Sequence, residues 1–114
     1  IGKLLKKETI FSERVNGKFE LRRDFKIKEK SKVLIVEDVI TTGKSSVECS
    51  ELAEVLKAQV IGFACLIDRS NGNSTINKKI ISQIEINIPT HQEDNLPEDL
   101  ISIPACKPGS RELK

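Results

Sequence analysis

The sequence contains no methionine, tryptophan or tyrosine and only one histidine, His91. Four phenylalanines are the whole aromatic complement. Stacking on aromatic side chains dominates the binding of single-stranded nucleic acid, so this chain is poorly equipped for that task. The three cysteines, Cys49, Cys65 and Cys106, are odd in number and far apart. That excludes a disulfide framework and a paired-cysteine zinc site, and it fits a reducing cytoplasm. Cys49 and Cys65 read as core residues and Cys106 as a loop residue. No apolar run approaches the roughly 20 residues that cross a bilayer, and Ile1-Gly2-Lys3 does not begin a secretory pattern. A chain without methionine that opens in what reads as the end of a helix predicts a further portion upstream in the complete protein.

What is present suits one soluble domain over residues 1–114. Charged residues make up 32% and hydrophobic residues 38%, a balance that permits a packed core rather than disorder. The net charge of +2 is unevenly spread. Residues 1–32 hold eleven Lys or Arg against five acidic residues, and the remainder holds eight against twelve. A local cationic excess attracts polyanions such as pyrophosphate groups, or it is simply a solvated surface.

The order of elements is legible from period and punctuation. Thr9 to Arg14 reads as a short strand, Asn16-Gly17 as a two-residue hairpin turn and Lys18 to Arg22 as the returning arm. Residues 12–23 thus form a cationic hairpin that projects from the domain, with little apolar content to anchor it, and is expected to be mobile. Val33 to Val36 is a continuous apolar run, as in a parallel strand covered on both faces. Cys49, Leu52, Ala53 and Leu56 then recur at helical spacing. Val60 to Ile67 is the next buried strand, which makes a βαβ unit with a right-handed crossover. Asp68 to Ser74 is a loop, Ser74 to Ser82 is ambiguous with a short helix as one option, and Ile84 to Ile88 is a last strand near an edge. Residues 90–114 read as a mostly irregular tail.

The chemistry concentrates in Val33-Leu34-Ile35-Val36-Glu37-Asp38-Val39-Ile40-Thr41-Thr42-Gly43-Lys44-Ser45. Ligands of open α/β sheets bind at the carboxyl ends of the strands. Here an apolar strand leads into two carboxylates, and a Thr-Thr-Gly turn then opens a helix. Free N–H groups at a helix start cradle a phosphate, Thr42 and Ser45 add hydroxyls, and Gly43 permits close approach. Carboxylates repel a phosphate but accept hydrogen bonds from sugar hydroxyls. The two parts together suit a ribose 5-phosphate. Gly43-Lys44-Ser45 also looks like the end of a P-loop, but that loop requires a glycine where Asp38 stands.

The run Val33–Ser45 resembles the phosphoribosyl pyrophosphate signature of type I phosphoribosyltransferases. Phe11-Ser12-Glu13-Arg14, Asn16-Gly17-Lys18 and Leu21-Arg22-Arg23 resemble the flexible catalytic loop of the orotate phosphoribosyltransferase family. Ile67-Asp68-Arg69-Ser70-Asn71-Gly72 resembles its orotate-contacting segment. Leu96-Pro97-Glu98-Asp99-Leu100 and Lys107-Pro108-Gly109-Ser110-Arg111 resemble the tail of bacterial members. The likeness covers the whole chain but only the C-terminal part of a full-length member.

The resemblance implies an α/β fold: a Rossmann-like parallel sheet with flanking helices, incomplete at its N-terminal side, plus the protruding hairpin. It implies transfer of the phosphoribosyl group of phosphoribosyl pyrophosphate to orotate, in pyrimidine biosynthesis in the cytoplasm. Glu37 and Asp38 would hold the ribose hydroxyls, with Asp38 counted as catalytic. Val39, Ile40, Thr41, Thr42, Gly43, Lys44 and Ser45 would line the phosphoribosyl site. Thr41 and Arg69 would meet orotate, the latter through its carboxylate. Lys18 would be the catalytic lysine facing the pyrophosphate, with Arg14 as companion. The implied cofactor is Mg²⁺, with no residue assigned as a metal ligand. The implied assembly is a homodimer with shared sites, without nucleic acid or membrane. The hairpin is shorter than the familiar loop and lacks its histidine; His91 reads as tail surface. An alternative is a phosphoribosyl pyrophosphate-binding regulator or inactive fragment of the same fold. The missing upstream portion predicts that the isolated chain is inactive or very weak.

Overall fold

A computed structural model describes residues 1–89, 91–92 and 94–104. The chain opens with a single helical turn, α1 (Gly2–Leu5), followed by the hairpin strands β1 (Ser12–Val15) and β2 (Lys18–Leu21). Asn16 (φ 49°) and Gly17 (φ 84°) both take left-handed backbone, the conformation that a tight two-residue hairpin loop of type I′ requires. There follow β3 (Lys32–Ile40), α2 (Lys44–Val55), β4 (Gln59–Asp68), β5 (Ile80–Glu85) and the short α3 (Glu98–Ile101). Strands β3, β4 and β5 make a parallel sheet in that order, and the hairpin stands apart as its own two-stranded sheet.

One register irregularity shapes the core. Val33 pairs with Val60, but Leu34 pairs with Gly62, so Ile61 is an extra residue in β4. This turns Val60 and Phe63, three residues apart, toward the same side. They meet Ile35, Ala53 and Ala58 there, with Ile27, Val33, Cys49, Ile76 and Ile80 packed around them. α2 covers that side of β3 and β4. The helix then ends through two bonds that satisfy its last carbonyls. Lys57 N–H donates to Glu54 O (2.8 Å) and Ala58 N–H to Ala53 O (3.0 Å), with Lys57 left-handed at φ 61°. This is a Schellman closure, and it delivers Ala58 into the core and Gln59 into β4. On the opposite face, Leu34, Val36, Leu66 and Ile81 are between 39% and 56% exposed, as strand alternation dictates for the side without α2.

Several sequence expectations shift. β3 does not stop at Val36. Val39 and Ile40 continue pairing, with Ile67 and Asp68. Both are β-branched and favour extended backbone. The ambiguous stretch 74–82 is not helical. It runs as a loop into β5, which starts at Ile80 opposite Phe63 and ends at Glu85, upstream of the expected Ile84 to Ile88 strand. β5 is an edge strand as expected. The tail contains α3, begun after Pro97, whose fixed φ suits a helix entrance. Cys65 is buried and Cys49 partly so, whereas Cys106 and the Lys107–Arg111 motif lie outside the described residues.

Phe63 is 2% exposed at the centre of the cluster. Phe63→Ala is expected to cost about 3 to 5 kcal/mol, transfer and cavity terms together. A urea titration checks this; an unmoved midpoint would mean the core lies elsewhere.

Candidate functional site

The turn between β3 and α2 is fixed from outside by the connection from β4 to β5. Arg69 N–H donates to Ile40 O at 2.7 Å. Thr75 donates twice to Thr42 O, from its N–H at 2.8 Å and from its hydroxyl at 3.0 Å. Gly43, at φ 77°, is buried against the same connection: a Cβ there would stand 2.8 Å from Ile76 Cγ1. Glycine is required at this point for both reasons. Thr41, Thr42, Lys44 and Ser45 remain exposed around it. Lys44 N–H leans on Thr42 Oγ1 at 3.4 Å, and the first N–H groups of α2 have no partners inside the helix. The turn expected to cradle a phosphate is therefore held from outside and faces outward.

The two carboxylates lie inside β3, not beyond its end, so they alternate between the two faces of the sheet. Glu37 shares the face of Ile35, toward α2, and is half-buried; the Ser46 hydroxyl approaches it at 3.5 Å. Burial, and secondarily the neighbouring Asp38, push the Glu37 carboxyl above its ordinary pKa, while Ser46 pulls the other way. Asp38 is exposed and accepts a bond from Val39 N–H at 2.7 Å. Val39 and Ile40 continue the strand, and Ile40 is almost fully buried, so these two shape the backbone rather than offer side-chain donors.

Arg69 follows β4 directly, half-buried, and its Nε–H is buried without a hydrogen-bond acceptor among the described residues. An unpartnered buried donor costs free energy unless a ligand supplies the acceptor. Its backbone bond to Ile40 seats this arginine beside the phosphate turn. Asp68 fixes the start of the loop by accepting from Ser70 N–H at 2.8 Å.

The hairpin is a separate unit. It protrudes from the three-stranded sheet yet is fastened to α2, through packing of β2 on the helix, an ion pair from Arg14 to Glu48, and Ser12 Oγ to Cys49 Sγ at 3.4 Å. Lys18 is exposed at the tip and forms no ion pair among the described residues. No hydrogen bond or ion pair joins Lys18 or Arg14 to the Thr41–Ser45 turn among the described residues. His91 is exposed. Sequence reasoning missed Ser46, Glu48, Thr75 and Ile76. Ser46 carried a weak signal, since of two adjacent helical serines only one faces the strand. The others act over separations of about thirty residues that no local pattern reports.

The phosphoribosyl transferase domain family matches residues 5–100 of this chain. Among curated relatives, the orotate phosphoribosyltransferase of Maricaulis maris is 46% identical over 104 residues, which cover 91% of this chain and 54% of the relative. That of Parvibaculum lavamentivorans is 43% identical over 112 residues, covering 98% and 58%. The chain spans about half the length of these relatives. Among solved structures, adenine phosphoribosyltransferase from Leishmania donovani aligns at TM-score 0.47 and 22% identity, over 84% of this chain and 42% of that one.

The raised pKa of Glu37 has a consequence for stability. The folded chain disfavours the charged form, so stability is full below the ordinary 4.5 and falls as pH rises through the elevated value. Glu37→Gln, neutral at every pH, is expected to denature at higher urea than the natural chain at pH 7, with the gap closing as pH drops below 4.5. Coincident midpoints at pH 7 would contradict this.

Proposed function

We propose that this chain, which belongs to the phosphoribosyl transferase domain family, supplies the phosphoribosyl site of an orotate phosphoribosyltransferase. The observation that carries the choice of orotate is Arg69: a guanidinium with a buried, unpartnered Nε–H, tethered by its own backbone to the end of the strand that bears the sugar-binding carboxylates. A planar donor fork matches a carboxylate bidentately, and orotate offers one. The relatives named orotate phosphoribosyltransferase support the same reading.

In this reading the Thr41–Ser45 turn holds the 5-phosphate of phosphoribosyl pyrophosphate. Asp38 and Glu37 accept hydrogen bonds from the ribose hydroxyls, and Thr41 stands between ribose and base. The bond from the ribose C1 to a pyrophosphate oxygen breaks, and a bond to a ring nitrogen of orotate forms as that nitrogen gives up its proton. Orotidine 5′-monophosphate and pyrophosphate result. Positive charge develops on the ribose and negative charge on the departing pyrophosphate, so catalysis rests on positioning and charge stabilisation. Lys18 and Arg14 answer the pyrophosphate from the hairpin.

The described residues contain no group of three or more potential metal ligands. Mg²⁺ accepts such a setting, because it binds through one or two carboxylates together with substrate phosphates and water. Asp38 and Glu37 are the carboxylates available to it, and the ion would supply neutralisation of the pyrophosphate charge. A homodimer with shared sites and a cytoplasmic location go with this reading. No described helix is long and apolar enough to cross a membrane.

The test is orotate-dependent release of pyrophosphate by the complete protein, abolished by Asp38→Ala. Arg69→Ala is expected to raise the orotate KM roughly 10- to 100-fold, the loss of a charge-assisted pair. Equal turnover of hypoxanthine, or none of orotate, would remove orotate, and an unchanged orotate KM in the arginine variant would remove Arg69 from the base site. Binding of phosphoribosyl pyrophosphate without any turnover would favour a regulatory module.

A further inference from the structure

The three hairpin arginines are each paired, and one of them is held differently from the other two. Arg22 and Arg23 both pair with Glu13, at 3.5 and 3.1 Å, inside the hairpin unit itself. Arg14 pairs with Glu48, which belongs to α2. Its guanidinium also donates to Gly17 O at 2.6 Å and lies 4.4 Å from the centre of the Phe19 ring. Arg14 is thereby pre-shaped by its own hairpin, and Glu48 is the one carboxylate that ties it to the helix.

From these contacts we infer that Glu48 is a positioning residue that stores Arg14 on α2 and yields it to pyrophosphate. The inference rests on the reading that the hairpin cations serve the departing pyrophosphate. Glu48 lies four residues into α2, about 6 Å along the axis from the helix start that faces the phosphate turn. The arginine therefore has a short way to travel. Both side chains are partly exposed, at 41% and 28%, so the pair is accessible and screened by salt. A single exposed carboxylate is a weak holder, and pyrophosphate, with several charges and more acceptor oxygens, is the stronger partner for the same guanidinium. An isolated two-stranded hairpin is marginal in water. Loss of the ion pair therefore loosens the hairpin, which β2 packing and Ser12 still hold to α2, until an anion recaptures Arg14.

Hydrogen exchange of the hairpin amides in the full chain, with calorimetric titration of pyrophosphate, tests this. In Glu48→Gln the amides of β1 and β2 are expected to exchange about two- to fivefold faster at low salt, the size of one exposed pair. Pyrophosphate affinity should rise by a similar factor. Salt should quicken exchange in the natural chain and leave the variant unchanged. Glu48→Asp should restore slow exchange. In hairpin exchange Arg14→Gln should match Glu48→Gln and the double variant should go no further, whereas the pyrophosphate affinity of Arg14→Gln should fall. The amides of β4 report global folding and should not change. Equal hairpin exchange in the natural chain and Glu48→Gln would overturn the latch. Faster exchange with unaltered pyrophosphate affinity would overturn the competition alone. Pyrophosphate binding that is absent in both proteins would overturn the reading of the hairpin as a pyrophosphate arm, together with the competition built on it.

Discussion

Everything proposed for this chain depends on how two carbonyls, Ile40 O and Thr42 O, are held. Both belong to the exit from β3, and both accept bonds from the segment that leads from β4 to β5, from Arg69 and Thr75. The same segment presses Ile76 against Gly43 and so leaves no room for a side chain there. The phosphate turn is therefore not a flexible loop between strand and helix. It is clamped by the neighbouring connection, and the clamp includes Arg69, the residue proposed to meet the base. The backbones of the turn and of Arg69 are set by one hydrogen-bonded unit, so the sheet fixes their separation.

Around this clamp the charges are sorted by face. Asp38 is open to solvent on one side of β3 and Glu37 sits on the α2 side, near the helix start. Such a location should favour an anion through the helix dipole, yet burial and the adjacent Asp38 dominate, and the carboxyl is harder to ionise than usual. A phosphate in the same spot would meet like charge. The proposed reading therefore puts sugar hydroxyls there and the phosphate at the exposed turn beyond. The cations proposed to meet a leaving pyrophosphate stand on the hairpin, where each arginine already has a carboxylate partner.

The sequence was informative wherever a local rule decides the outcome. Asn16-Gly17 announces its hairpin because both residues tolerate positive φ. The apolar run from Val33 announces a parallel strand, although only the α2 face is covered among the described residues and Leu34 and Val36 stay exposed, and Gly43 announces a turn. Register was hidden. Ile84, Ile86 and Ile88 alternate well enough to suggest a strand, but pairing is set by Phe63 against Ile80 and ends at Glu85. The end of β3 was hidden for the same reason: Val39 and Ile40 join because β4 offers partners, and this moves Glu37 and Asp38 from a strand terminus into the strand. The resemblance singled out Arg69, whereas its tether to Ile40 is a matter of tertiary structure. Nothing in the local sequence sets Glu48 apart from other helix acids; only the packing of the hairpin against α2 does.

The central claim is that residues Thr41–Ser46 form a ribose 5-phosphate site prior to any chemistry. Amide-resolved NMR of the chain during titration with ribose 5-phosphate tests it most directly, with ribose alone as the control. The account predicts saturable shifts at the amides of Thr41 to Ser46 and at Arg69, with little response to ribose. Shifts confined to the lysine-rich residues 1–32, or a turn that responds to neither compound, would contradict it.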